Sequence, residues 1–142
     1  MTEESKLGLL DTNVVVHSFA HDAHSAECSR FMRALRDGYT SAALDPLVIH
    51  ELTYALPQFI KQMTRPELAA FLLEMIGWEA VRCDNKALLV DTLERWRDRA
   101  GLGFVDAYLS ALALRRDMPV YTKNVRHFLT QGVDVPDPLP SQ

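Results

Sequence analysis

Four side chains with oxygen donors stand out in this sequence, although they lie far apart along the chain. Asp11 interrupts the apolar run LLDTNVVV, Glu51 lies in VIHELTYAL, Asp106 lies in GFVDAYLSALAL, and Asn124 follows PVYTK. Burying a carboxylate within an apolar run costs free energy unless the carboxylate has a partner. The presence of Asp11 at this position therefore needs a structural or chemical explanation. Mg²⁺ and Mn²⁺ prefer oxygen ligands, usually a few carboxylates with water and substrate phosphates. Three carboxylates and one amide would suit such an ion.

Each of these side chains also has an ordinary structural explanation. Asp11 could end a strand as a turn residue, or it could cap the helix that follows. Glu51 could be a solvated helix residue, and Asp106 could complement a helix dipole. Asn124 could be a turn residue. The metal hypothesis therefore depends on the four side chains together, and it requires a fold that gathers them.

The alternation of predicted strands and helices indicates an α/β fold. Residues 7–11, 39–44, 79–83 and 119–122 are apolar runs of strand length. Apolar spacing and capping residues predict a helix over 25–37 that ends at Gly38, one from Asp45 toward Pro57, and one that Thr64 and Glu67 open with a capping box. A further helix carries Leu89, Leu93, Trp96 and Ala100 on its inner face and ends at Gly101, and the last covers 104–116. Pro57 should end or kink its helix.

Parallel strands need crossover connections, which the intervening helices provide. The sequence therefore predicts a three-layer α/β/α sandwich with a parallel sheet of four or five strands. We expect residues 1–142 to form a single domain, with a proline-rich tail from about residue 133 to residue 142.

This fold would place the oxygen donors at one edge of the sheet. In an open parallel sheet, ligands bind beyond the carboxyl ends of the strands, where Asp11 and residues 122–124 are expected. Asp106 falls in the first turn of its helix. Glu51 falls on the shoulder of a helix whose inner face is predicted to carry Val48, Leu52, Ala55 and Phe59.

Composition limits the classes of protein that fit. Hydrophobic residues make up 48% of the 142 residues and charged residues 24%, as in ordinary globular proteins. No apolar stretch approaches the length of a membrane span, and the polar start does not resemble a secretory signal. Cys28 and Cys83 lack metal-ligand spacing, so we expect reduced thiols in a cytoplasmic protein. A net charge of −4 argues against a broad basic surface for nucleic acid, but it leaves room for local arginines and a basic partner.

The four segments LLDTNV, HEL, FVDAYLSALAL and VYTKNVRHF, in this order, resemble the PIN-domain ribonucleases. Among these, the chain is most similar to the VapC-type toxins of bacterial toxin–antitoxin pairs. The resemblance extends from residue 7 to about residue 128. It implies an α/β/α sandwich with a parallel sheet and an acidic pocket that binds Mg²⁺ or Mn²⁺.

The resemblance also implies roles for individual residues. The three acid positions that bind metal fall on Asp11, Glu51 and Asp106, and the fourth polar position of the catalytic set falls on Asn124, where many relatives carry an aspartate. This substitution leaves one fewer negative charge for a second metal ion. Thr12 and Thr122 fall on hydroxyl positions that would support the ligands.

The implied reaction is hydrolysis of phosphodiester bonds in single-stranded or looped RNA. The metal would lower the pKa of a bound water and neutralise charge on the phosphate, so no histidine or lysine is needed as a base. Candidate phosphate contacts are Lys123, Arg126, Arg95 and Arg99, each of which could instead be an ordinary surface charge.

The toxin resemblance implies two protein partners, a cognate antitoxin that occludes the acidic pocket and a second copy in a homodimer. The apolar residues Tyr54, Leu56 and Phe59 look exposed and would fit an interface. Two other functions stay open. One is a housekeeping PIN-domain nuclease in RNA processing, and the other is a catalytically inactive PIN-like module that binds RNA or protein.

Two further patterns point to other chemistry. His17, His21 and His24 have helix-like spacing, but no cysteine or acid completes a zinc set at the usual spacing. The DTN stretch also resembles the start of phosphatases whose nucleophile is an aspartate after the first strand. Those enzymes typically need a second acid two positions on, where this chain has Asn13.

Overall fold

The computed structural model describes residues 6–141, within which three short strands and seven helices form. In chain order they are β1 (Gly8–Leu9), α1 (Thr12–Phe19), α2 (Ser25–Asp37), β2 (Ala42–Ala43), α3 (Pro46–Phe59), α4 (Arg65–Gly77), β3 (Val81–Arg82), α5 (Lys86–Asp98), α6 (Phe104–Arg116) and α7 (Val125–Leu129). The chain divides into two compact units, the first ending at Lys86 and the second beginning at Ala87. Among the described residues, no helix combines the length and apolar character needed to cross a membrane.

The first unit is built on a parallel sheet with the strand order β1-β2-β3. Leu9 pairs with Ala43, which in turn pairs with Arg82. The ladder continues past β1, because the backbone N–H of Leu10 donates to the carbonyl of Ala43 at 2.9 Å. The predicted α/β class with a parallel sheet is confirmed.

The sheet has three strands within residues 6–141, whereas the sequence predicts four or five. Residues 119–122, the predicted last strand, do not form a strand. Pro119 has no N–H to donate, and the N–H of Val120 donates to the carbonyl of Asp134 at 2.9 Å. The segment therefore bonds to a later part of its own unit instead of extending a sheet.

Local capping sets the ends of the helices in the first unit. The carboxylate of Asp45 accepts the N–H of Leu47 at 2.9 Å and begins α3. Thr64 and Glu67 form the predicted capping box at the start of α4. Gly38 ends α2 with a φ of +83°, a left-handed conformation that glycine adopts without steric cost.

The buried face of α3 differs from the prediction by a rotation about the helix axis. Ile49, Leu52 and Leu56 are buried, whereas Phe59, predicted on the inner face with Val48, Leu52 and Ala55, is 56% exposed. Pro57 lies in the last turn and does not end the helix, which continues to Phe59. Loss of one N–H near a helix end removes little of its hydrogen bonding.

This rotation corrects the predicted interface residues. Leu56 is 0% exposed and belongs to the core of the first unit, so it cannot contribute to a surface. Tyr54 is 62% exposed and, like Phe59 and Leu47, is an apolar residue on the surface of α3.

The second unit consists of α5, α6 and α7 with the loops around them. Phe128 of α7 is 2% exposed and packs with Ala113 of α6 and with Val133. Val120 and Val135 are partly buried against this cluster. Val133, the first residue of the predicted tail, is thus part of a hydrophobic core, which holds α7 against α6.

Candidate active site

Asp11 lies where the first strand gives way to the first helix. Its backbone is extended, with φ −92° and ψ 150°, and its Oδ1 accepts the N–H of Thr12 at 2.8 Å. Asp11 is therefore the N-cap of α1, as its structural alternative proposed, and it also follows β1. A negative charge is favourable at the N-terminus of a helix, where backbone N–H groups are exposed.

Thr12 connects Asp11 to a second carboxylate. The Thr12 side chain is buried, and its hydroxyl donates to Oε2 of Glu51 at 3.0 Å. One residue thus contacts one oxygen of Asp11 through its backbone and one oxygen of Glu51 through its side chain. Asp11 and Glu51 are both exposed, and Oδ2 of Asp11 and Oε1 of Glu51 take no part in these two bonds.

Asp106 occupies the first turn of α6 in the second unit, as predicted. Its Oδ2 lies 3.1 Å from Nδ1 of His127. Its backbone carbonyl accepts the hydroxyl of Ser110, a buried residue one turn further along α6. Asp106 is therefore a half-buried carboxylate with one oxygen held by an imidazole.

Asn124 and Thr122 lie immediately before α7. The N–H of Asn124 donates to the hydroxyl of Thr122 at 2.9 Å. Asn124 occupies the N-cap position of α7, but its side chain makes no capping hydrogen bond. The side-chain amide of this exposed residue therefore does not cap the helix.

His127 is the residue near these candidates that the sequence interpretation missed. It follows Asn124 by three positions in TKNVRHF and precedes Phe128, which is anchored in the core. A polar residue beside a core anchor, directly after a candidate ligand, is the signal that could have identified it.

The basic residues proposed as phosphate contacts have different surroundings. Nζ of Lys123 lies 3.0 Å from Oδ1 of Asp137 on the surface. The guanidinium of Arg95 donates to Asp91 at 2.8 Å and to the carbonyl of Gln131 at 3.1 Å. Arg126 and Arg99 are exposed. Arg95 therefore connects α5 to the loop after α7 within the second unit.

The chemistry of the donor set is compatible with Mg²⁺ or Mn²⁺, since Asp11, Glu51, Asp106 and Asn124 offer only oxygen in their carboxylate and amide carbonyl groups. Within residues 6–141, no three His, Cys, Asp or Glu side chains form a group that could hold a metal ion. The assignment of three carboxylates to one ion stays a prediction.

A side-chain contact joins the last turn of α1 to the histidine-rich loop that follows it. Oδ2 of Asp22 lies 2.7 Å from Nδ1 of His17, and its Oδ1 accepts the N–H of His24 at 2.8 Å. The backbone N–H of His24, followed by the imidazole of His17, lowers the pKa of Asp22. These contacts stabilise a turn. Like the rest of residues 6–141, this segment contains no group of three His, Cys, Asp or Glu side chains that could hold a metal ion.

The two cysteines are half-buried and free. Burial raises the pKa of the Cys83 thiol, with a smaller opposing effect of Lys86. Desolvation disfavours a thiolate, so Cys83 has the character of a structural residue and not of a reactive one.

Comparison with known proteins identifies the family. The PIN domain family matches residues 8–130, which is most of the chain. No curated protein and no solved structure matches the sequence. PIN domains are typically metal-dependent nucleases, so the match indicates nuclease activity in general. With this match, and with a parallel α/β fold that agrees with it, the chain belongs to the PIN domain family.

Proposed function

We propose that this protein is a Mg²⁺- or Mn²⁺-dependent endoribonuclease and the cytoplasmic toxin of a toxin–antitoxin pair. Membership of the PIN domain family supports the nuclease activity. The order of LLDTNV, HEL, FVDAYLSALAL and VYTKNVRHF supports the toxin branch. The observation that carries the site is the double contact of Thr12 with Asp11 and Glu51.

In this proposal, Asp11, Glu51 and Asp106 hold the metal ion, and Asn124 adds a neutral oxygen. When bound, the ion would lower the pKa of a water molecule and neutralise charge on the scissile phosphate. Thr12 orients Glu51 through its hydroxyl and takes one oxygen of Asp11 through its N–H. Because Thr12 is buried, it is a preorganised donor for Glu51, and preorganised ligands favour catalysis because they need no rearrangement.

Two of the basic candidates suit phosphate binding better than the others. Lys123 and Arg126 flank Asn124 and are exposed. The ion pair of Lys123 with Asp137 is on the surface, where such pairs contribute little, so a phosphate could replace Asp137. Arg95 would have to leave Asp91 and Gln131 to reach a substrate, and we assign it to the fold.

The protein partners in this proposal are an antitoxin and a second copy of the chain. The net charge of −4 suits a basic antitoxin segment that binds across the acidic residues. Tyr54 and Phe59, exposed on α3, are the apolar residues that we propose for the homodimer contact.

The decisive experiment measures cleavage of a fluorescent single-stranded RNA by metal-free protein as Mn²⁺ is added. Asp11→Asn should lower the cleavage rate by about 100-fold or more, because the amide removes a charged ligand. Asparagine is as good an N-cap as aspartate, so the fold should be unchanged. Asp45→Asn makes the same change at the cap of α3 and should leave the rate at the wild-type value.

The outcomes separate the proposed nuclease from its rivals. Equal rates for the wild type and Asp11→Asn would reject the site. A wild-type protein that binds RNA without cutting it would indicate a binding module. Growth arrest on expression that Asp106→Asn abolishes would favour a toxin, whereas active protein without growth arrest would favour a housekeeping nuclease.

A further inference from the structure

The side chain of His127 contacts the carboxylate of Asp106. Its Nδ1 lies 3.1 Å from Oδ2 of Asp106, within hydrogen-bonding distance. The two residues are 21 apart in the sequence and belong to different helices of the second unit. Their contact is therefore a product of the packing of α7 on α6.

The neighbours of His127 fix its backbone. Phe128 is buried with Ala113 of α6 and with Val133, so α7 has little freedom to move along α6. The hydroxyl of Thr130 also donates to the carbonyl of His127 at 2.7 Å. The imidazole is therefore attached to an anchored piece of backbone, although half of its own surface is exposed.

The contact distinguishes the two carboxylate oxygens of Asp106, because His127 contacts only Oδ2. A carboxylate accepts hydrogen bonds and does not donate them, so we assign the ring proton of this pair to Nδ1. Oδ2 of Asp106 is then occupied by an N–H donor, and Oδ1 is the remaining oxygen. A hydrogen bond that holds one ligand oxygen fixes the orientation of the other, and losing such a bond weakens metal binding.

We propose that His127 is a positioning residue of the nuclease site, which holds Oδ2 of Asp106 through Nδ1–H so that Oδ1 is presented to the divalent cation. This inference rests on the proposed function, since it assigns Asp106 to the metal. His127 itself neither binds the ion nor transfers a proton in this arrangement. The first unit contains the same device, in which Thr12 holds one oxygen of Glu51.

The test uses two amides that resemble different nitrogens of histidine. The side-chain nitrogen of asparagine can occupy the position of Nδ1, whereas that of glutamine reaches the position of Nε2. Mn²⁺ affinity, measured by the electron paramagnetic resonance signal of free Mn²⁺, should fall about 10- to 100-fold in His127→Gln and His127→Ala. His127→Asn should keep an affinity within about threefold of the wild type, because it keeps the donor.

A double-mutant cycle shows whether His127 acts through Asp106. Adding His127→Ala to Asp106→Asn should cause no further loss of Mn²⁺ affinity, because the carboxylate that His127 holds is already gone. Thermal unfolding without metal shows whether each variant is folded. His127 is half exposed, so we expect unfolding temperatures close to that of the wild type.

Three results would overturn the inference. If His127→Ala binds Mn²⁺ with the wild-type affinity, His127 is not a positioning residue, although the proposed nuclease function is unaffected. Equal losses in His127→Asn and His127→Gln would also overturn the inference, as expected of a ring nitrogen that binds the ion itself. A wild-type protein that neither binds Mn²⁺ nor cuts RNA would reject the inference together with the proposed function.

Discussion

The hydroxyl of Thr12 donates a hydrogen bond to Oε2 of Glu51 at 3.0 Å, although 39 positions separate the two residues in the sequence. Thr12 is the first residue of α1, and Glu51 lies within α3. Since Thr12 also donates its N–H to Asp11, the packing of α1 on α3 connects two candidate ligands through one buried residue.

The first prediction concerns this hydrogen bond. Thr12→Val keeps the shape of the side chain but removes the donor, so Glu51 should lose its fixed orientation. We expect RNA cleavage to fall by about 10- to 100-fold. We also expect the free energy of unfolding to change by only about 1 kcal/mol, as measured by urea denaturation. Thr12→Ser retains the hydroxyl and should retain most of the activity. Full activity in Thr12→Val would contradict the role of this bond.

The second prediction concerns metal and stability. If the folded protein binds Mn²⁺ and the unfolded chain does not, Mn²⁺ at 100 times its dissociation constant should stabilise the fold by about 2.7 kcal/mol. Differential scanning fluorimetry should show a higher unfolding temperature with Mn²⁺, which a chelator reverses. Asp11→Asn should lose most of this shift, whereas Asp45→Asn should keep it. An equal shift in both variants would place the ion elsewhere.

The third prediction tests the rotation of α3. Leu56→Ala should lower the free energy of unfolding by about 2–5 kcal/mol, because the residue is completely buried. Phe59→Ala, at an exposed position of the same helix, should change it by less than about 0.5 kcal/mol in the monomer. Urea denaturation at low protein concentration measures both values. Comparable losses in the two variants would show that Phe59 is part of the core.

The fourth prediction concerns acid stability. The N–H of His24 and the imidazole of His17 lower the pKa of Asp22 below its ordinary value of 3.8. A carboxylate with a lowered pKa stabilises the fold above its ordinary pKa, and this stabilisation is lost as the pH falls through the folded-state value. Asp22→Asn should therefore lose less stability than the wild type between about pH 5 and about pH 2, as measured by urea midpoints.

The control for this acid effect is Asp84→Asn, which removes another exposed carboxylate from the same unit. It should follow the pH dependence of the wild type more closely than Asp22→Asn does. Identical curves for the wild type and Asp22→Asn would mean that the contacts of Asp22 contribute nothing in solution.

The fifth prediction distinguishes Arg126 from Arg95, two residues that the sequence indicates as candidate phosphate contacts. Arg126→Gln should weaken RNA binding and reduce the slope of log affinity against log salt by about one unit or less. Arg95→Gln should leave that slope unchanged. It should destabilise the fold by about 1–3 kcal/mol, because the hydrogen bonds of Arg95 to Asp91 and Gln131 are lost. Fluorescence anisotropy over a salt series, together with urea denaturation, distinguishes the two. A reduced salt slope in Arg95→Gln would show that Arg95 contacts the RNA phosphates.

Features that depend on residues close together in the chain could be predicted from the sequence. Asp45, the Thr64–Glu67 pair and Gly38 mark helix ends because capping involves residues a few positions apart. The bounds of α6 follow from its apolar pattern for the same reason. Residue type, position and the family resemblance also allow four candidate ligands to be named, and the segments that carry them lie within the matched residues 8–130.

Features that depend on residues far apart in the chain could be read only from the packing of the helices and strands. Pattern alone could not show that α3 turns Leu56 inward and Phe59 outward, since a small rotation preserves most of the apolar stripe. Nor could it show that Val120 bonds to Asp134 instead of a strand. The contacts of Thr12 with Glu51 and of His127 with Asp106 arise where separate helices pack. Such contacts depend on the positions of whole elements, which local sequence preferences do not set.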